Sequence, residues 1–177
     1  MEKIKTFFNH NYKPVCKIFN LYWKTYGGWK SVFCSLYFHL SILLTIIILW
    51  ANRYNESFLR EWMGYILSTS PNLIGISLTG MTVFLAIGDD KFKAAIRGES
   101  PSGKSSPMMV FIASFTHFVL LQTFSLINAV IGRACLLNCS LYKIFSVLIF
   151  VYALLTVIST VMAIYRIAMI YDSAKVK

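Results

Sequence analysis

The chain has 177 residues, 57% of them hydrophobic and only 14% charged, with 17 Lys and Arg against 7 Asp and Glu and a formal net charge of +10. A soluble domain carries roughly 45–50% apolar and about 25% charged residues, so these charges are too few to cover a water-soluble enzyme of this size. Four Pro, nine Gly and 16% aromatic residues exclude fibrous, low-complexity and disordered chains. Composition and length predict one small all-α integral membrane protein.

The first element in chain order is a basic arm, residues 1–30. Val15, Ile18, Phe19, Tyr22, Trp23 and Tyr26 recur at helical spacing, while Lys13, Lys17, Asn20 and Lys24 fall elsewhere on the wheel. Pro14 suits a first helical turn and Gly27-Gly28 a stop. Such a helix is expected to lie in the membrane interface against anionic lipid, with Trp23 beside its lysines. A plain extension of the first span is the alternative. Orientation already accounts for the basic excess, so no direct nucleic-acid binding is expected.

Four apolar stretches follow, each near the 20 or so residues a bilayer requires: Ser31 to Asn52, a run within Trp62 to Gly88, Pro107 to Gly132, and Ile144 to Tyr165. Runs this uniformly apolar predict helices. Trp29 and Trp50 flank the first span about 31 Å apart along a helix, a hydrocarbon thickness. The expected organisation is a four-helix transmembrane domain over 31–171 with a cytoplasmic loop at 89–106 and a tail at 172–177. No short apolar core with a small-residue cleavage site opens the chain, so the first span is expected to act as an uncleaved anchor.

Several motifs match a pattern without its context. Gly98, Gly103, Lys104 and Ser105 satisfy G-x-x-x-x-G-K-[ST], but the mechanism needs a strand before the loop and a helix after it, and an 18-residue link between spans has no room for the sheet. Asn55-Glu56-Ser57 and Asn138-Cys139-Ser140 read as glycosylation acceptors in very short outer loops, where chance is the simpler account. Cys135 and Cys139 are candidates for a disulfide in an outer loop, although a helical spacing of four suits bridging poorly. Cys16 and Cys34 read as free apolar thiols. There is no H-E-x-x-H, no nucleophile elbow, and no His/Cys cluster for a metal, so neither catalysis, metal nor cofactor is expected.

The polar residues inside the spans fall on stripes. On the second span Ser68, Asn72, Gly75, Thr79, Thr82 and Ala86 share about 80° of arc at 100° per residue. The third carries Ser114, His117, Ser125, Asn128 and Gly132, interrupted by Leu121, and the fourth Tyr152, Thr156, Ser159, Ala163 and Arg166. The first has only Ser31, Ser35 and His39. Small and hydroxyl-bearing stripes serve close helix packing in lipid; they also serve a water path enclosed by several subunits. His39 and His117 are expected at matched depth, about 14–15 Å inside the cytoplasmic face. The candidate pore-lining or gating residues are therefore His117, His39, Ser114, Ser125, Asn128, Asn72, Thr79 and Arg166. Four short helices cannot enclose a water column, so conduction implies a ring-shaped homo-oligomer.

Three landmarks carry a resemblance: Trp23-Lys24-Thr25-Tyr26-Gly27-Gly28-Trp29, then Pro71-Asn72-Leu73-Ile74-Gly75 through Gly88-Asp89-Asp90-Lys91-Phe92, and Thr116-His117-Phe118 with Gln122. With the size, the basic arm and the four apolar runs, the chain resembles the small bacterial membrane accessory proteins encoded beside RNA-targeting type VI CRISPR nucleases. The resemblance implies a pore-like homo-oligomer of the inner membrane that dissipates membrane potential in antiviral defence, coupled to a cytoplasmic RNA-guided ribonuclease. One group within that family carries a degenerate ribonuclease-type helical motif, whose Arg-to-His spacing this chain lacks, and no active-site residue carries over. The alternatives are a structural subunit recruiting a cytoplasmic partner and a lipid-modifying enzyme, for which Asp89-Asp90 is the only carboxylate pair ahead of lysines.

Charge gives the sharpest expectation. Thirteen Lys and Arg lie in the arm, the middle loop and the tail, against four (Arg53, Arg60, Arg133 and Lys143) in the other two loops. The positive-inside rule then puts both termini in the cytoplasm. A reporter fused after Lys177 should be active only as a cytoplasmic reporter; periplasmic activity would overturn the topology.

Overall fold

The computed structural model describes residues 2–55, 57–87, 105–135 and 139–175, with side chains over 12–55, 57–82, 105–135, 139–166, 168 and 169. The loop 88–104, with most of the phosphate-loop pattern and Asp89-Asp90, lies outside the described residues, as do Glu56 and Asn138 of the two glycosylation acceptors. The described chain is all-helical and without strands: α1 (Glu2–Tyr26), α2 (Gly28–Phe33), α3 (Leu36–Ala51), α4 (Phe58–Ile87), α5 (Pro107–Ala134) and α6 (Ser140–Lys175).

The local signals explain most of these bounds. At Gly27 the backbone turns left-handed, φ 103°, and its N–H donates to the Trp23 and Lys24 carbonyls, closing α1 where the glycine pair was expected to. Ser106 caps α5 by accepting from the Met109 N–H at 3.3 Å, with Pro107 in the first turn where it forfeits no bond. Two expectations fail. Pro14 does not begin α1, which starts at Glu2 and runs through it, because a proline inside a helix forfeits one backbone bond and the turns on either side carry it. The first apolar run is not one helix. It breaks at Cys34 and Ser35, where Ser35 adopts an extended ψ of 132° and its side chain accepts from the Tyr37 N–H at 3.2 Å, restarting the chain as α3.

Among the described residues two helices are long and apolar enough to cross a membrane, α5 and the Ser140–Arg166 portion of α6; α3 is apolar but shorter, at 16 residues. In α4, Ser68, Thr69, Ser70, Pro71 and Asn72 dilute the apolar sequence at mid-helix. Large apolar side chains stay on the outside, among them Leu36, Ile46, Trp50, Phe124 and Val161, as lipid-facing positions would.

Helix α5 is the centre, packed against α4, α6 and α1, while α3 lies along α6. Leu59, Met63 and Ile66 of α4 share a cluster with Ala129 of α5, and Met81 packs with Phe111 and Phe115, so α4 and α5 run antiparallel. Helix α6 is antiparallel to α5 by the same logic, with Phe150 beside Ala129 and Ala163 beside Phe111. Phe38 meets Tyr152, and Leu44, Ile48 and Leu49 pack with Val147 and Val151, so α3 is antiparallel to α6. Neighbouring elements alternate in direction.

The α5–α6 end is closed by a tyrosine over a glycine. The Tyr142 hydroxyl donates to the Asn128 carbonyl at 2.5 Å, and its ring lies where a Cβ on Gly132 would be. Replacing Gly132 by Ala should displace Tyr142, break that bond and cost roughly 1–3 kcal/mol. In a Tyr142→Ala background the same change should cost little. Thermal unfolding of the four forms in detergent measures the coupling, and additive losses would refute it.

Candidate functional site

His117 sits at the junction of α1, α5 and α6, 5% exposed. The Tyr22 hydroxyl of α1 approaches its Nδ1 at 2.7 Å, and the Tyr152 hydroxyl of α6 its Nε2 at 3.4 Å. The Tyr26 ring stacks on the imidazole, centroids 3.9 Å apart and planes 17° from parallel, and Trp23 lies 6.5 Å away. Tyr152 in turn hydrogen-bonds the Tyr26 side chain. One proton arrangement satisfies both ring nitrogens: Tyr22 donates to Nδ1, the Nε2–H donates to Tyr152, and Tyr152 donates to Tyr26. Burial, with Tyr26 beside it, pushes the Tyr22 phenol well above its ordinary range, and burial raises Tyr26 against the opposing bond from Tyr152. Both phenols are therefore neutral throughout the physiological range.

The two aromatics that hold His117 are one helical turn apart on the apolar face of α1. Its lysines, Lys13, Lys17 and Lys24, point to the opposite side and are exposed, as are Val15, Ile18 and Phe19 nearer the N-terminus. So the cluster fastens the last turns of an amphipathic helix to the bundle and leaves the turns over residues 13–21 exposed. Trp29 meets Trp23 edge-on at 4.9 Å and is itself exposed. At the far end of α3, the Arg53 guanidinium lies 4.9 Å over Trp50 and 4.7 Å over Tyr54, an aromatic clamp on a charge just outside the apolar run.

His39 does not join His117. Tyr152 touches both Phe38 and His117, so the two histidines stand at one level of the bundle, but the His39 ring is exposed and its Nδ1–H donates to the Ser35 carbonyl at 2.8 Å. The three stripes also part company. On α5, His117, Ser125 and Gly132 are buried and Ser114 and Asn128 half-buried; on α6, Tyr152 and Thr156 are buried, Ser159 and Ala163 half-buried, and Arg166 exposed. On α4, Ser68, Asn72, Gly75, Thr79 and Thr82 are all exposed. A Cβ on Gly75 or Gly80 would meet nothing within 4 Å. Ser68, Asn72 and Thr82 bond back to their own helix, to the carbonyls of Tyr65, Ser68 and Leu78, leaving a small, polar, uncovered face.

Cys16, Cys34, Cys135 and Cys139 are exposed free thiols, and the Cys135–Cys139 bridge is not formed. Among the described residues no three His, Cys, Asp or Glu gather as a metal would require. Sequence reasoning singled out His117 but missed Tyr22 and Tyr26 as its partners; the i, i+4 pair of tyrosines on the arm's apolar face was the available signal. No family model, curated protein or solved structure matches the chain.

The cluster predicts that the arm's docking depends on His117. His117→Ala strands the Tyr22 hydroxyl and removes the stacking surface under Tyr26, a loss of roughly 1–3 kcal/mol. Backbone hydrogen exchange over residues 12–26 should then run about ten- to a hundredfold faster, since 1.4 kcal/mol is a factor of ten, with a smaller effect for Tyr22→Phe. Unchanged exchange in His117→Ala would show that something else holds the arm.

Proposed function

We propose that the chain is a four-span protein of the bacterial cytoplasmic membrane with both termini inside, and that its copies assemble into a ring that dissipates membrane potential. The observation that carries this reading is the uncovered polar face of α4. Two of the three stripes are largely consumed within the protomer, around His117 and along the α5–α6 seam; the α4 stripe has no neighbour among the described residues of its own chain. In lipid a row of Ser, Asn, Gly and Thr is poorly placed against acyl chains, and it gains either from a second helix at close range or from water. A ring supplies both, with Gly75 and Gly80 admitting close approach and Asn72 and Thr79 toward the path.

The expected resemblance to accessory proteins of type VI CRISPR systems supplies the setting: antiviral defence beside an RNA-guided ribonuclease. The exposed lysines of α1 favour a second reading, a membrane anchor that recruits a cytoplasmic partner without a pore. A potential-sensitive dye separates the two. Wild type should depolarise cells when its partner nuclease is activated, and Asn72→Leu with Thr79→Leu should lose that response at unchanged expression. Thr156→Ala, inside the protomer, serves as the control. Depolarisation by a protein that remains monomeric, or full depolarisation by the α4 variants, would overturn the ring.

A further inference from the structure

Among the described residues, five side chains inside the bundle carry buried polar atoms without a hydrogen-bond partner: the indole Nε1 of Trp62, whose ring packs against Phe58 and Phe150, and a group of four, Ser70 of α4 with Gln122, Ser125 and the Nδ2 of Asn128 on α5. Ser70, Gln122 and Ser125 are each 0% exposed. Ser70 and Ser125 depart from the way most of the other buried serines and threonines are treated, Ser146 being a further exception that donates to the Met63 sulfur at 3.8 Å. Ser41, Thr45, Thr156 and Thr160 each donate to a carbonyl three or four residues back on their own helix, at 2.7–2.9 Å. Bonding back is available to any serine or threonine in a helix, and Ser70 and Ser125 do not use it.

The placement makes these groups one row. On α5 they follow at intervals of three, so each is a neighbour of the next and the row covers about 9 Å of helix. Ser70 faces it from α4: Ile66 and Ala129 belong to one cluster, and the antiparallel run brings Ser70 level with Ser125. Beyond Gln122 the interior is closed by Phe118, Phe115 and Phe111, all buried. At the other end Asn128 is half-buried, next to the turn that Tyr142 caps.

The donor and acceptor inventory selects the occupant. Gln122 offers a carbonyl acceptor and an amide with two donors, Asn128 two more donors, and each hydroxyl one of each kind. A cation would pair the carbonyl and leave the amide N–H groups facing it. An anion would do the reverse. Water donates and accepts, and a small cluster of it satisfies the whole row. We infer that Ser70, Gln122, Ser125 and Asn128 form an internal hydration site between α4 and α5, running from the level of Asn128 and stopped by the phenylalanines at the level of Phe118. The site lies within one protomer and stands whether or not copies assemble.

The chain provides its own probe, because Gln122 is its single glutamine. Full-length protein labelled with side-chain 15N-glutamine and embedded in bilayers gives one side-chain amide signal by solid-state NMR. That signal should receive magnetisation from water at short mixing times and should decay on transfer to D2O. Ser125→Ala should weaken the transfer, with the thermal unfolding of the variant checked in parallel. Replacing sodium and potassium with choline should leave the signal where it is. An amide that takes no magnetisation from water and persists in D2O would overturn the site, showing a dry contact instead. A signal that moves in choline would overturn it in favour of a bound cation.

Discussion

Helix α5 buries polar groups on the face it turns to its neighbours, and a buried polar group must find a partner or cost free energy comparable to the bond it lacks. The arrangement of the other helices follows from how that demand is met. Near its first third α5 presents an imidazole, whose two nitrogens point in different directions and draw a phenol from α1 and another from α6. Near its end it presents the Asn128 carbonyl and a glycine, which together admit the Tyr142 ring and fix α6 at close range. Helix α6 is thus held to α5 by tyrosines at two levels, with an apolar cluster around Ala129 and Phe150 between them and a second, around Phe111, beyond Tyr152.

The attachment of α1 is different in kind. An amphipathic helix of 25 residues, about half of them polar, is held to the bundle through aromatic residues within its last turns. Stacking, an edge-on indole pair and two phenol bonds concentrate there, with the lysines on the far side and an uncovered apolar stretch before them. Such a helix is tethered at one end and free to lay its remaining apolar face on whatever surface adjoins the bundle, for which a lipid headgroup layer has the right chemistry.

What the sequence disclosed depended on the range of the physics. Gly27 and Ser106 act on their own backbone, and both helix ends fall where those residues place them. Helical periodicity correctly grouped the polar residues into faces, since 100° per residue is a property of the helix alone. It did not say which face another helix covers. That depends on contacts such as Tyr22 with His117, 95 residues apart, and on the same basis the α4 stripe looked no different from those on α5 and α6. The break at Cys34–Ser35 was hidden for another reason: the residues around it are apolar enough to read as an unbroken run, and one serine taking an extended ψ overrides that pattern.

That break sets a length. From Ser35 onward α3 has 16 helical residues, about 24 Å, against a hydrocarbon thickness near 30 Å. In the proposed setting the side of the protomer that α3 occupies is too short for the lipid beside it, while α5 and α6 on the other side are long enough. Acyl chains next to α3 must compress or tilt, and the strain falls when two such short sides face each other and share a single thinned strip. In that setting the same thinning would lower the barrier to water entering at that edge, an effect that needs only a short helix.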